Sequence, residues 1–358
     1  DGITSTALLV RFFDEIGIKV LSFIPHRTRD GYGMSKRGID ELKKQQVSLI
    51  ITVDNGMRSQ NEINYAHEVG LEVIVTDHHE PDGELQNVIA ALNPKLCEAN
   101  SAFQNLSGCG VAFMLLMALR KQLREENLLS KPEPNLKSYL EFVALANIAD
   151  VVPLTGTNRV LTLFGLDEIR KNPSLGIAAL LEVSKVQSHQ INTGTVSFRL
   201  APRLNAAGRI DCASTAVKLL LAKTSDEAFY FAEELERLNK KRQGDEAEVV
   251  KEALKDPIHS TTCGATVSYA AHWHVGVIGI AAAKMVARYK RPAAVIGGTG
   301  DEAKGSIRTY RNIDVLAALE SCADLLLRFG GHTQAAGLSI HPENIKKFRE
   351  RFNEYCEK

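Results

Sequence analysis

Residues 73–81, Val-Ile-Val-Thr-Asp-His-His-Glu-Pro, constrain the fold more than any other stretch of this sequence. A β-branched apolar run of this kind predicts a strand buried on both faces, as in the parallel sheet of an α/β fold. The run ends abruptly in an acid and two adjacent imidazoles, and a proline follows. Open α/β sheets place their binding sites at the carboxyl ends of strands. We therefore expect Asp77, His78 and His79 to lie at a functional site.

A similar pattern lies upstream at residues 47–56, where an apolar run leads into Asp54. A helical segment over residues 60–68 links the two, which predicts neighbouring parallel strands. Asp54 taken alone could be an ordinary helix N-cap, but a core does not readily bury two adjacent histidines. A third acid, Asp150, follows the apolar segment 142–149. Two carboxylates and an imidazole favour a divalent ion such as Mn²⁺, and the absence of a thiolate cluster argues against a structural zinc.

The composition is typical of a globular protein with two domains. The 358 residues exceed a typical single domain, and no apolar run approaches the length of a membrane span. Six scattered cysteines without a C-x-x-C spacing predict reduced thiols and a cytoplasmic location. The 43 basic and 43 acidic residues cancel, so binding of a nucleic acid would need a local basic groove.

Three motifs resemble those of the DHH phosphoesterase superfamily: V-D-N-G at residues 53–56, V-T-D-H-H-E-P at 75–81 and A-N-I-A-D-V-V-P-L at 146–154. Later motifs, described below, resemble the RecJ-type exonucleases in particular. The resemblance implies an α/β fold with a parallel-sheet DHH domain over residues 1–222. A long connecting helix over residues 223–257 would lead to a smaller α/β DHH-associated domain over residues 258–358, with a cleft between the two domains.

The start of the sequence, D-G-I-T-S, aligns with the end of the RecJ motif D-x-D-x-D-G-x-T-S, which follows a strand. In this alignment Asp1 is the third Asp, and the first two are the metal ligands. We therefore expect the sequence to lack that strand and its ligands, and also the oligonucleotide-binding domain of the family. On this expectation the chain binds one divalent ion weakly and has little or no activity, which titration calorimetry with Mn²⁺ would test.

The resemblance also implies a role for each residue of the predicted metal site. Asp54 would bridge two ions in the complete family site, and His78 and Asp150 would complete one ion's ligands. Mn²⁺ would be preferred, with Mg²⁺ as the alternative. His79 would act on the scissile phosphate as a hydrogen-bond donor or general acid, and Asp77 would orient the imidazoles. The ions would activate water and neutralise charge on the phosphate.

The DNA-binding residues are predicted from four further motifs. The loop P-H-R-T-R-D-G-Y-G at residues 25–33 resembles a family loop that binds the 5′-phosphate through Arg27. Without the family resemblance, a solvated surface arginine is the simpler interpretation of Arg27. R-L-N-A-A-G-R at 203–209 offers arginines among small residues, which suits contact with a nucleic-acid backbone. G-S-I-R at 305–308 and G-G-H at 330–332, predicted at a helix start, would bind the 5′-phosphate. The predicted residues are Arg27, Arg203, Asn205, Arg209, Ser306, Arg308 and His332.

The periodicity predicts further strands over residues 19–24, 265–270, 292–296 and 303–307, and a long helix over about 224–254. The glycines at residues 108–110 open another helix, where their amides could hold phosphate or where they simply allow close helix packing, which we favour. His272 and His274 flank the single tryptophan, Trp273, in a spacing that suits either a metal or, as we favour, a packed loop.

The predicted function is hydrolysis of single-stranded DNA from its 5′ end to 5′-mononucleotides, in DNA repair and recombination. Expected partners are single-stranded DNA, a single-strand-binding protein and a helicase, with no membrane and a monomeric state. One alternative is a DHH oligoribonuclease or nucleotide phosphatase, which would prefer trinucleotides. Another is a catalytically impaired clamp on single strands, whose binding would not respond to metal. The strand polarity and the choice of DNA over RNA rest on the resemblance alone.

Overall fold

The computed structural model describes residues 1–25, 33–98, 101–129, 132–210, 212–255 and 264–357. The chain divides into two compact units, Asp1–Asn239 and Lys240–Lys358, and the division falls inside its long helix. The domain boundaries after residues 222 and 257 stay predictions. In the described ranges, no helix has both the length and the apolar character needed to span a membrane.

The first unit contains a small parallel sheet and most of the helices. Its strands are β1 (Leu49–Val53), β2 (Glu72–Thr76) and β3 (Ala90–Leu92), paired in that order. Its helices are α1 (Gly2–Glu15), α2 (Lys36–Lys44), α3 (Gln60–Glu68), α4 (Gly108–Glu125), α5 (Leu140–Ala149), α6 (Gly156–Lys171), α7 (Leu175–Val183), α8 (Thr193–Thr195), α9 (Ala201–Ile210), α10 (Ser214–Leu220) and α11 (Ser225–Ala253), which continues into the second unit.

The parallel sheet has a hydrophobic core on each face. Val73 and Val75 of β2 pack with buried side chains of α2 and α3, while Ile51 and Val53 of β1 pack against the cluster formed by α1, α4 and α5. Val53 of β1 pairs with Thr76 of β2, so the two strands end side by side. The predicted strands at residues 47–53 and 73–76, and the predicted long helix, are confirmed.

The strand predicted over residues 19–24 is wrong. Among the described residues, this segment pairs with no strand, and β1 pairs only with β2. A cavity of about 1210 Å³ is lined by residues 18–25 together with residues 45–55. Because the segment and the edge of β1 are separated by this cavity, neither can supply the backbone hydrogen bonds that would make the other a paired strand.

The second unit is built on a five-stranded mixed sheet in the order β4-β5-β6-β8-β7. In this sheet, as far as the described residues show, only β4 and β5 pair in parallel. The strands are β4 (Thr266–Ala270), β5 (Ala293–Gly297), β6 (Ala303–Arg308), β7 (Leu326–His332) and β8 (Ala335–Ile340), and the helices are α12 (Ile278–Tyr289), α13 (Val315–Glu320) and α14 (Ile345–Glu357). The first three of these strands are confirmed predictions.

The G-G-H motif is not at a helix start, so that prediction is wrong. Gly330, Gly331 and His332 end strand β7, which pairs antiparallel with β8. A Cβ on Gly331 would lie 2.5 Å from the Ala335 carbonyl oxygen. The glycine therefore allows β7 to approach β8 closely, and its φ of 150° suits glycine best.

Candidate metal centre

Asp54 and His78 meet where β1 and β2 end. Asp54 follows β1 with a φ of 59°, a left-handed conformation that aspartate tolerates better than most residues. His78 follows β2 by one further residue, and its Nε2 lies 3.1 Å from Asp54 Oδ1. Gly2, at the start of α1, donates its backbone N–H to Asp54 Oδ2 at 2.8 Å. The carboxylate is thus held on one side and faces the imidazole on the other.

Two more carboxylates reach the same imidazole nitrogen. Asp150, directly after α5, and Asp1, directly before α1, each place Oδ2 3.5 Å from His78 Nε2. α5 ends here because Val151 has a φ of 60°, which breaks the helical backbone. His78 therefore lies among three carboxylates contributed by β1, α1 and α5.

The donor set fits a divalent ion. Asp54, His78 and His79 form one group, and Asp1, His78 and Asp150 form another, in which one ligand atom per residue lies within 4.8 Å of the others. Carboxylate oxygens with imidazole nitrogen suit Mn²⁺ and related ions. Burial lowers the pKa of His78, but the hydrogen bond and charge of Asp54 outweigh it and raise the pKa. The carboxylates thus already attract a cation.

Asp77 has a different role, because its carboxylate accepts hydrogen bonds that hold the D-H-H segment in place. Its Oδ2 accepts the Met57 N–H at 3.0 Å, and its Oδ1 accepts the His78 N–H at 2.7 Å. His79 Nδ1 lies 2.7 Å from the same Oδ1. Burial raises the pKa of Asp77, but the hydrogen bonds from His79 and Met57 lower it below its ordinary value. Asp77 is therefore a buried, ionised anchor.

The start of α4 binds a carboxylate of the protein. Gly108 and Cys109 donate their N–H groups to the two oxygens of Asp1, each at 2.7 Å. A Cβ on Gly108 would lie only 2.8 Å from Asp54 Cβ. The glycine thus permits the close packing that we favoured, while the free amides of the helix start fix Asp1 instead of a phosphate.

Asp1 is the member of the centre that the sequence analysis did not select, because the motif alignment treated it as the third Asp and not as a ligand. Its side chain is 2% exposed, and its position depends on amides about a hundred residues away. The only signal available from the sequence was its place directly before an apolar helix, where an acid is commonly just a cap.

The R-L-N-A-A-G-R element forms helix α9. Asn205 and Arg209 line the same cavity as Asp1, Asp54 and Asp150. Arg203 instead donates from Nε to Glu236 Oε2 at 2.7 Å and from Nη1 to the Arg199 carbonyl at 2.6 Å. The structure therefore brings two of the three predicted residues to the cavity of the metal centre and ties the third to α11.

Sheet register aligns three predicted residues of the second unit. Arg308 on β6 and His332 on β7 both pair with Ala335 on β8, so they occupy one row across the sheet. Ser306 lies two residues before Arg308, and its Oγ accepts a hydrogen bond from Arg308 Nη1 at 3.0 Å. Residues two apart on a strand and partners across strands share a face. Arg27 lies outside the described residues.

The first turn of α12 faces this serine and arginine. A Cβ on Gly279 would lie 3.1 Å from Ser306 Oγ and 3.2 Å from Arg308 Nη2. Within the described part of the chain, no side chain caps α12, and the first amides of a helix have no partner within it. The backbone at Gly279, a hydroxyl and a guanidinium thus converge, which is a suitable set of donors for a phosphate. No sequence signal had connected Gly279 with the motif on β6.

Comparison with known proteins supports the predicted family. Residues 1–146 match the family model described as DHH family, N-terminal domain, and residues 263–358 match the DHHA1 domain. The chain is 39% identical over 363 residues to the single-stranded-DNA-specific exonuclease RecJ of Bacillus subtilis. This match covers 100% of this chain and 44% of that protein. The protein of the same name from Escherichia coli is 40% identical over 369 residues, or 99% of this chain and 64% of its own length. The chain thus spans about half the length of these relatives.

Solved structures of RecJ proteins match the fold of this chain. A structure of exonuclease RecJ bound to manganese matches with a TM-score of 0.86 and 35% identity, covering 99% of this chain and 87% of that chain. RecJ from Thermus thermophilus in complex with Mn²⁺ matches with a TM-score of 0.85 and 33% identity, over 99% of this chain and 50% of its own. The resemblance to the DHH motifs and the α/β fold class are confirmed. The chain belongs to the RecJ family and carries its DHH and DHHA1 domains.

Proposed function

We propose that this chain hydrolyses phosphodiester bonds of single-stranded DNA from the 5′ end, releasing 5′-mononucleotides with Mn²⁺ or Mg²⁺ as cofactor. The motif alignment led us to expect little or no activity, but it did not count Asp1, whose carboxylate lies 3.5 Å from His78 Nε2. The observation that carries the proposal is the convergence of Asp1, Asp54 and Asp150 on His78 Nε2, within 3.5 Å. The names of the relatives, single-stranded-DNA-specific exonuclease RecJ, supply the substrate class, and RecJ has been solved with each of these ions. A cytoplasmic role in DNA repair and recombination belongs to the same proposal, as do a single-strand-binding protein and a helicase as partners.

The metal-binding residues we propose are Asp1, Asp54, His78 and Asp150. Divalent ions held there would act as Lewis acids on the phosphate and its attacking water. His78 can bind an ion through Nε2 only after losing its proton, and its pKa is raised, in spite of burial, by the neighbouring carboxylates. Metal binding should therefore release a proton and strengthen as the pH rises through that pKa.

His79 is proposed to act on the substrate. Its Nδ1 is occupied by Asp77 at 2.7 Å, and its side chain is 52% exposed. The hydrogen bond that His79 donates to the Asp77 carboxylate raises the pKa of His79, which favours the protonated ring. A protonated ring held at Nδ1 can donate from Nε2 to a phosphate oxygen or to the leaving oxygen. Asp77 acts on His79 and is a positioning residue.

The selection of an end is proposed to come from the donors around Ser306, Arg308 and the start of α12. A terminal phosphate monoester carries more negative charge than a phosphate inside a strand. A site with a guanidinium, a hydroxyl and helix amides therefore favours the terminal group. His332, in the same row of the sheet as Arg308, is proposed to bind the same phosphate.

The strand itself is proposed to run past α9. Asn205 and Arg209 share a cavity with the metal-binding carboxylates, and Gly208, which lines the same cavity, leaves room beside them for a sugar-phosphate backbone. Contacts from Arg27 and Arg203 to phosphate stay predictions. For Arg203, the ion pair with Glu236 also gives the side chain a role in fixing α9 against α11.

The test is release of labelled mononucleotides from 5′-phosphorylated single-stranded DNA in Mn²⁺, with the same DNA as a duplex for comparison. We expect release from the single strand only, and a loss of at least about 100-fold in Asp54→Ala. Asp82→Asn, an exposed acid nearby, is the control and should keep full activity. Faster hydrolysis of trinucleotides than of long strands would favour the phosphatase class instead. DNA binding without any response to Mn²⁺ would favour the clamp.

A further inference from the structure

A separate group of potential metal ligands lies in the second unit. Glu248 and Glu252 are one helical turn apart near the end of α11, and His272 lies in the turn after β4. One ligand atom from each residue lies within 4.8 Å of the other two. Glu248 and His272 are exposed and Glu252 is partly buried, so an ion in solution could reach them. None of the three belongs to the metal centre or to the row across the sheet that contains Arg308 and His332.

A buried indole fixes the central carboxylate of this group. Trp273 is only 5% exposed, and its Nε1 donates to Glu252 Oε2 at 2.7 Å. This hydrogen bond lowers the pKa of Glu252, so the carboxylate is ionised. Supporting donors of this kind orient metal-binding carboxylates and reduce the cost of ordering them. The indole has no acceptor, so it does not compete for the ion.

The pairing of His272 with Glu252 does not by itself account for the group. His272 Nε2 lies 2.8 Å from Glu252 Oε2, and this hydrogen bond needs only these two residues. An exposed pair of this kind contributes little to stability. Glu248 adds a second negative charge from the preceding turn of the helix, which costs repulsion. The charge of Lys255 also acts on Glu252, and a divalent cation between the two carboxylates would remove the repulsion directly.

We propose that Glu248, Glu252 and His272 form a second divalent-cation site, supported by Trp273, which suits a borderline ion such as Zn²⁺. Carboxylates and imidazole nitrogen are ligands that Mn²⁺ and Zn²⁺ share, and Zn²⁺ binds such a set more tightly than Mn²⁺ does. Unlike a structural zinc site, this group has three protein ligands and leaves a position for water. Ligands at about 2.0–2.2 Å from tetrahedral Zn²⁺ lie roughly 3.3–3.6 Å apart. His272 Nε2 and Glu252 Oε2 lie 2.8 Å apart and would separate by about 0.5–0.8 Å. The ligand atom of Glu248 lies within 4.8 Å of the other two and would close by about 1.5 Å at most. The ion would replace the proton between His272 and Glu252 and join α11 to the turn after β4.

Trp273 is the only tryptophan in the chain, so its fluorescence reports on this site directly. The experiment titrates Zn²⁺ into the full metal-free chain carrying Asp54→Asn and His78→Gln, so that the other centre does not compete. We expect a saturable change in tryptophan emission with one ion bound per chain. Adding His272→Gln should abolish the change or raise the midpoint concentration at least tenfold.

Two further variants separate loss of the site from loss of the fold. Glu248→Gln leaves the contacts among Glu252, His272 and Trp273 in place, and it should also raise the midpoint at least tenfold with an unchanged Tm. His67→Gln removes an exposed histidine on α3 and should respond like the parent. The proposal is overturned if Zn²⁺ leaves the emission unchanged, or if His272→Gln and Glu248→Gln both respond like the parent.

Discussion

His79 is held through Nδ1 by Asp77, with the two side-chain atoms 2.7 Å apart. Asp77 is 2% exposed, and it also accepts the backbone N–H groups of Met57, His78 and His79. One buried carboxylate therefore fixes both the backbone of the D-H-H segment and the ring of its second histidine. The Asn93 side chain adds a hydrogen bond to the His79 carbonyl at 2.8 Å. This arrangement fixes the direction in which His79 Nε2 can donate.

Asp77→Asn should lower kcat by about 10- to 100-fold, because a neutral amide orients the ring less firmly. The hydrogen bond and charge of Asp77 raise the pKa of His79, so the variant's His79 loses its proton at a lower pH. The limb of the pH–rate profile that requires a protonated group should move to lower pH. Steady-state kinetics across the pH range provide the measurement. An unchanged profile with a lower kcat would exclude His79 as that group.

Gly108→Ala should weaken Mn²⁺ binding, because the added Cβ would lie 2.8 Å from Asp54 Cβ and 3.0 Å from its backbone Cα. Either Asp54 moves away from His78 or the start of α4 moves away from Asp1. Titration calorimetry would measure the lost affinity. The control is Gly244→Ala within α11, where a Cβ meets nothing within 4 Å. That variant should keep Mn²⁺ affinity and increase the free energy of unfolding by about 0.5–1 kcal/mol.

Local residue patterns were sufficient to predict that the ends of β1 and β2 bring potential metal ligands together. Each strand is an apolar run that stops at a ligand, and neighbouring parallel strands bring such stops together. The approach of Asp54 to His78 follows from that rule. Asp150 reaches His78 from the end of helix α5, which the rule does not cover. The long helix α11 was likewise predictable, because its N-cap and early acids precede a continuous helical pattern.

Other features depend on contacts between distant residues and have no local signal. Asp1 joins the centre through amides at Gly108 and Cys109, and no spacing rule connects those positions. β7 and β8 contain Gly-Gly and Ala-Ala-Gly, which are turn-like sequences, and they become strands because β6 offers an edge for pairing. Residues 19–24 have a strand-like composition but no partner among the described residues, because composition alone cannot supply hydrogen bonds.

Gly279→Ala should reduce the preference for a 5′-phosphate over a 5′-hydroxyl end. Its Cβ would lie 3.1 Å from Ser306 Oγ and 3.2 Å from Arg308 Nη2, in the space that we propose for the terminal phosphate. We expect about a tenfold loss in kcat/KM on 5′-phosphorylated DNA and little change on 5′-hydroxyl DNA. Initial rates on the two substrates give the ratio. An equal loss on both would show that Gly279 supports the fold and not the phosphate site.

Glu141→Gln should change how stability depends on pH. Glu141 is 1% exposed, lies 3.3 Å from Arg11 Nη1 and accepts the Ser174 N–H at 3.0 Å. Burial raises its pKa from 4.5 to about 7. Below pH 4.5 the Glu141 carboxyl is protonated in both the folded and the unfolded state, so its burial costs no stability there. Between pH 4.5 and 7 the unfolded state gives up its proton first, and stability falls by roughly 3 kcal/mol at most.

Because glutamine has no proton to lose, this decline should be absent from the variant, while its amide oxygen can still accept the Ser174 N–H. Urea unfolding of both proteins from about pH 4 to pH 8 would measure the difference in free energy of unfolding. That difference should move in favour of Glu141→Gln as the pH rises through the window. Glu125→Gln, at an exposed position on α4, should track the unmodified protein at every pH. Parallel curves for Glu141→Gln and the unmodified protein would mean that Glu141 stays ionised in the folded state, with Arg11 compensating its burial.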